Sequence, residues 1–87
     1  MSKSEKLLHR LLSIPNDFTW DELVKILAYF GFEERKKGKT GGSRRKFVDA
    51  QKRIIALHKP HPGNIVKEYA IRQVIGYLID NGFVKNG

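Results

Sequence analysis

Three histidines are the side chains of this 87-residue chain whose ordinary pKa suits proton transfer near neutral pH. His58 and His61 stand three residues apart in LHKPHPGN (57–64), and His9 is remote from them in sequence. There is no cysteine, which excludes disulfides, thiolate zinc sites and cysteine nucleophiles. Two histidines without cysteines or close acids are a poor ligand set, so neither a metal nor another cofactor is expected. The second constellation is GKTGGSRRKF (38–47), which holds three glycines, a Thr, a Ser and basic residues on both sides. Glycines let a backbone approach a ligand closely, and free amides in such a loop can form a nest for an anion. Lys37, Lys39, Arg44, Arg45 and Lys46 around Gly42 and Ser43 would supply phosphate contacts that ignore sequence. The bland reading of the same loop is a solvated hairpin tip.

The bulk charge favours the first reading. The net charge is +8, with a pI of about 10.0. A balance this basic points to nucleic acid or another polyanion as partner. Between Glu33 and Arg53 there are nine basic and three acidic residues, so +6 of the +8 falls in about a quarter of the chain. Within that span and just beyond it, Arg53 and Lys59 join the candidates for RNA contact. No stretch approaches the roughly 20 apolar residues of a spanning helix. The basic N-terminal segment is interrupted by His9 and Arg10 and lacks a small-residue cleavage site. The expectation is a cytoplasmic protein with no membrane partner.

The elements that must position these groups are legible from periodicity. One domain spans residues 1–87. In residues 4–14, Leu7, Leu8, Leu11 and Leu12 make one helical stripe, which Pro15 and Asn16 stop. His9 lies beside the stripe as a surface residue. Thr19 is an N-cap with Glu22 at N3, a capping box, and Phe18 and Leu23 can close a hydrophobic staple. That second helix runs to Phe30 and ends at Gly31, with Trp20, Tyr29 and Phe30 as core or rim packing. Residues 32–37, 44–49 and 53–58 read as three strands of an antiparallel meander. In the middle strand, Arg45, Phe47 and Asp49 face one way, and Arg44, Lys46 and Val48 the other. A last helix covers about Lys67 to Asn81. Its buried stripe is Ile71, Val74, Ile75 and Leu78, and Gly82 ends it. Gly76 inside it costs roughly 1 kcal/mol relative to Ala, a cost that close helix–sheet packing would justify. The fold class is α+β, in the order α-α-β-β-β-α, with helices on one face of the sheet. Without the first helix this is the order of double-stranded-RNA-binding domains, which read A-form RNA by shape, phosphates and 2′-hydroxyls.

Residues 17–84 resemble the HicA family of toxins from bacterial type II toxin–antitoxin modules. The matching pieces are Gly31-Phe32, Gly42-Ser43, Pro60-His61-Pro62 and the helix ending at Asn81-Gly82-Phe83, in the family's order and spacing. Residues 1–16 look like a helical extension. The resemblance implies a double-stranded-RNA-binding-like fold, binding and cleavage of mRNA, and a HicB-like antitoxin partner. Family cleavage is attributed to the histidine after Gly-Ser, and here that position is Arg44. Metal-independent cleavage needs a base for the 2′-hydroxyl, charge stabilisation and an acid for the leaving oxygen. Arginine is a permanent cation, so Arg44 can clamp a phosphate but cannot be the base. A relocated base would be His61 or His58. Otherwise His61 holds its loop, His58 is a strand-end surface residue, and the protein binds RNA without cutting it. A further reading takes the charge as a surface for an acidic antitoxin.

Overall fold

The computed structural model describes residues 3–35, 44–60 and 63–84. Its elements are α1 (Lys3–Leu12), α2 (Trp20–Tyr29), β1 (Glu33–Arg35), β2 (Arg44–Val48), β3 (Ile54–His58) and α3 (Glu68–Asp80). After α1 the order is therefore α-β-β-β-α, the α+β arrangement that the pattern predicts. The strands form one antiparallel sheet in the order β1-β2-β3. The predicted extension of the first strand through residues 36–37 lies outside the described residues.

Local chemistry fixes the helix ends. At α2, the Glu22 amide donates to Thr19 Oγ1 at 3.2 Å, and the Thr19 amide donates to Glu22 Oε1 at 2.9 Å. This is the expected capping box. Phe18 and Leu23 flank it and are both fully buried. At the other end, the amides of Gly31 and Phe32 donate to the carbonyls of Ala28 and Leu27, with Gly31 at φ +91°. The end of α3 repeats the device: Gly82 and Phe83 donate to Ile79 and Leu78, with Gly82 at φ +78°. Both are Schellman motifs, in which a left-handed residue lets the chain reverse and satisfy the last carbonyls. Each motif delivers a phenylalanine, and the rings of Phe32 and Phe83 meet at 5.6 Å. Two helix stops thus become one aromatic contact.

Alternation in the strands builds the core. Phe47, Ile55 and Leu57 are buried, and their chain neighbours Lys46, Ile54, Ala56 and His58 are exposed. The buried set joins Leu23, Ile26 and Leu27 of α2 and Ile71, Val74 and Leu78 of α3 in one cluster. Trp20 reaches Phe47 at 5.7 Å between ring centroids, tying α2 to β2. Residues 18–20 also bridge residues 64–66: Trp20 N donates to Asn64 O and Val66 N to Phe18 O, both at 2.7 Å. The entry to α3 is thereby fixed on the start of α2.

Three details depart from the sequence pattern. First, α1 ends at Leu12 rather than near Ile14, which has φ +52°. A residue before proline is biased out of the helical region, so Pro15 ends the helix earlier than apolar periodicity indicates. Second, Leu12 is 37% exposed, and Leu11 alone of the predicted stripe is fully buried. Third, a Cβ built on Gly76 would meet nothing within 4 Å. Close packing therefore does not account for this glycine.

Candidate nucleic-acid interface

The meander turns one sheet face to the helices and leaves the other open. The register places Arg44 opposite His58, Lys46 opposite Ala56 and Val48 opposite Ile54. On the other side, Arg35 stands opposite Lys46 and Glu33 opposite Val48. The strand period of two puts all these side chains on the face away from Phe47, Ile55 and Leu57. The open face is thus graded. Glu33, Val48 and Ile54 lie toward the β2–β3 turn, and Arg35, Lys46, Arg44 and His58 lie toward the β1–β2 connection.

Two features of the charged end matter. Arg35 and Lys46 are like charges directly opposite each other, an arrangement that costs stability without an anion between them. Neither they nor Arg44 has an ion-pair partner among the described residues. All three are exposed. Arg44 and His58 are a directly opposed cross-strand pair, a geometry with Cβ atoms about 4.5–5.5 Å apart. A permanent cation and an imidazole therefore share one site on the open face. Arg35 is absent from the sequence-derived list. A three-residue edge strand carries too little alternation to show which face Arg35 takes.

The remaining expected contacts divide. Arg45 is on the inner side, half-buried, with Nε 3.2 Å from Glu34 Oε2. Its Nη1 donates to the Arg44 carbonyl at 3.2 Å. Arg53 belongs to the β2–β3 turn. Asp49 Oδ1 accepts from the amides of Gln51 and Arg53, while Arg53 Nη1 lies 3.2 Å from Asp49 Oδ2. The same guanidinium sits 5.0 Å over the Phe83 ring. Both arginines thus have side-chain partners, and Arg44 has no ion-pair partner among the described residues. Lys59 is exposed just beyond β3, next to His58. His61, Lys37, Lys39, Gly42 and Ser43 lie outside the described residues. No group of three or more His, Cys, Asp or Glu side chains able to hold a metal occurs among the described residues.

The model of the HicA toxin family of bacterial toxin–antitoxin systems matches residues 20–84. The chain belongs to the HicA toxin family. That span starts at Trp20, the first residue of α2, and runs past the end of α3, so it contains the whole open sheet face. Helix α1 lies outside it. No curated protein and no solved structure matches the chain. Among the described residues no helix is long and apolar enough to cross a membrane.

Proposed function

We propose that this HicA-family toxin binds mRNA on its open sheet face and cleaves it without a metal. The observation that carries the reading is the cross-strand pairing of Arg44 with His58 beside the cations Arg35 and Lys46. Arg35 and Lys46 hold the phosphate backbone, with Lys59 and the basic loop residues Lys37 and Lys39 extending the path. On sequence grounds, the glycines beside Ser43 would let the RNA backbone approach closely.

In the cleavage step the 2′-hydroxyl attacks the adjacent phosphorus, and His58 takes its proton. Arg44 holds the non-bridging oxygens and stabilises the charge that builds on them. The bond to the 5′-oxygen breaks, and that oxygen takes a proton from an acid, for which His61 is the candidate on sequence grounds. The products are a 2′,3′-cyclic phosphate and a free 5′-hydroxyl. Arginine at the position after Gly-Ser supports this division of labour, because it supplies charge and leaves the proton to another group. It also supports a second reading, a toxin that occupies RNA without cutting it. In either reading the protein acts in the cytoplasm and is neutralised by a HicB-like antitoxin.

Binding tests the first half. Single strands release counterions with a slope of about −0.7 per neutralised phosphate, so three open-face cations contribute a slope of about −2 in log K against log salt. Removing Arg35, Arg44 and Lys46 together flattens the measured slope by about that amount. An unchanged slope in the triple variant would overturn the assignment of these residues.

A further inference from the structure

The groove between α1 and α2 is independent of the sheet face. It has a volume of about 680 Å³. Lys3, Lys6 and Leu7 line it from α1, and Lys25, Ala28 and Tyr29 from α2. The spacings are i, i+3, i+4 on both helices, so each presents a single face to the groove. Leu7, Ala28 and Tyr29 form an apolar floor, and Tyr29 is 50% exposed there. Lys3, Lys6 and Lys25 form the rim, and none of the three has an ion-pair partner among the described residues. Near the α1–α2 connection the groove is bounded by the Arg10–Glu22 pair, whose charges are already matched at 3.2 Å.

We propose that this groove receives an acidic amphipathic helix of a partner protein. Charge complementarity selects the occupant: an apolar floor between unmatched lysines fits a helix with leucine-like anchors flanked by carboxylates. The floor is aliphatic with a single aromatic ring, whereas single-stranded nucleic acid sites stack successive bases on several rings. The length also fits. Each ten-residue helix wall is about 15 Å long, room for about ten residues of a docked helix and anchors at i, i+3 or i+4, and i+7. Helix α1, one wall of the groove, lies outside the span that the family model matches. Its arginine is spent on holding α1 in place. Arg10 bonds Glu22 and Asp17 and lies 5.6 Å over the Phe18 ring.

The test uses the full chain and a fluorescein-labelled 14-residue peptide. The peptide carries Leu at i, i+3, i+4 and i+7 with Glu along both flanks, and a scrambled peptide of the same composition is the control. Fluorescence anisotropy reads peptide affinity, and a labelled single-stranded RNA is titrated in parallel. The parent is expected to bind the helical peptide at least tenfold more tightly than the scrambled one. Lys6→Gln with Lys25→Gln removes that preference while RNA affinity changes less than twofold. A milder variant, Tyr29→Ser, weakens peptide binding at least threefold, and circular dichroism confirms that each variant is folded. Equal binding of both peptides by the parent overturns the proposal. So does an RNA affinity that falls with Lys6 and Lys25 while peptide binding persists, which assigns the groove to nucleic acid.

Discussion

Glu22 joins the N-terminal helix to the family domain, and replacing it tests how that joint is built. Its carboxylate accepts from the Thr19 amide at 2.9 Å, the Thr19 hydroxyl at 3.1 Å and Arg10 Nε at 3.2 Å. The side chain is 27% exposed, which places each bond near the low end of the net range, about 0.5 kcal/mol. Glu22→Ala removes all three and is expected to destabilise by about 1.5 kcal/mol. For a domain of this size that lowers Tm by about 6–12 °C. Glu22→Gln keeps an acceptor for the Thr19 amide and loses only the charge, so it costs about a third as much. Thermal unfolding followed by circular dichroism at pH 7 and low salt measures both. A double-mutant cycle with Arg10→Ala isolates the pair, with an expected coupling of about 0.5 kcal/mol. Arg10 retains its bond to Asp17 in the Glu22 variants, so no charge is left stranded. If Glu22→Ala unfolds within about 1 °C of the parent, the capping box and the Arg10 bridge do not hold α1 in the way described.

Other outcomes follow from the same residues. Burial pushes the Glu22 carboxyl up, but the bonds from the Thr19 amide, Arg10 and the Thr19 hydroxyl outweigh it, leaving the pKa below its ordinary 4.5. The charged form is therefore favoured by folding. Its stabilisation is complete above the ordinary value and is lost as pH falls through the lower folded value. The stability gap between the parent and Glu22→Gln should narrow in urea titrations as pH falls below the ordinary 4.5 and through the lower folded value, and a gap that widens on acidification would contradict this. Gly76→Ala should raise stability by about 0.5–1 kcal/mol, since the added methyl meets open space and the helix loses a glycine. A lower Tm for that variant would show that the glycine has a packing role after all.

The parts of the fold visible in the sequence are those set by local chemistry. Thr19 and Glu22 are three residues apart and satisfy each other's backbone donors. Gly31 and Gly82 supply left-handed turns that few other residues adopt at low cost. Phe47, Ile55 and Leu57 alternate with polar or exposed neighbours, so the buried face of the sheet is written in a period of two. What depends on distant partners was not legible. Arg10 and Glu22 are twelve residues apart, and nothing in either position announces their pairing. The contact of Phe32 with Phe83 requires both Schellman turns and the docking of α3. The candidate site shows the same division. The basic loop and the two histidines are plain in the sequence, as is the placement of Arg44 and Arg45 on opposite faces. That Arg44 pairs with His58 depends on register, which the length of the β2–β3 turn sets. Arg35 was overlooked because a three-residue edge strand carries too little alternation to show its face. The ties of Arg53 to Asp49 and Phe83 exist only in three dimensions and leave no mark in the sequence.

Cleavage of RNA by purified protein in chelator is the most direct measure of the central claim. A 5′-labelled mRNA transcript is incubated with the parent, His58→Ala and Arg44→Gln, and the fragment ends are analysed. The parent is expected to cut and leave 2′,3′-cyclic phosphate ends. His58→Ala should bind the transcript normally and cut at least 100-fold more slowly, the usual scale for loss of a general base. Arg44→Gln should lose both binding and rate. Cleavage by His58→Ala at the parent's rate would contradict the account.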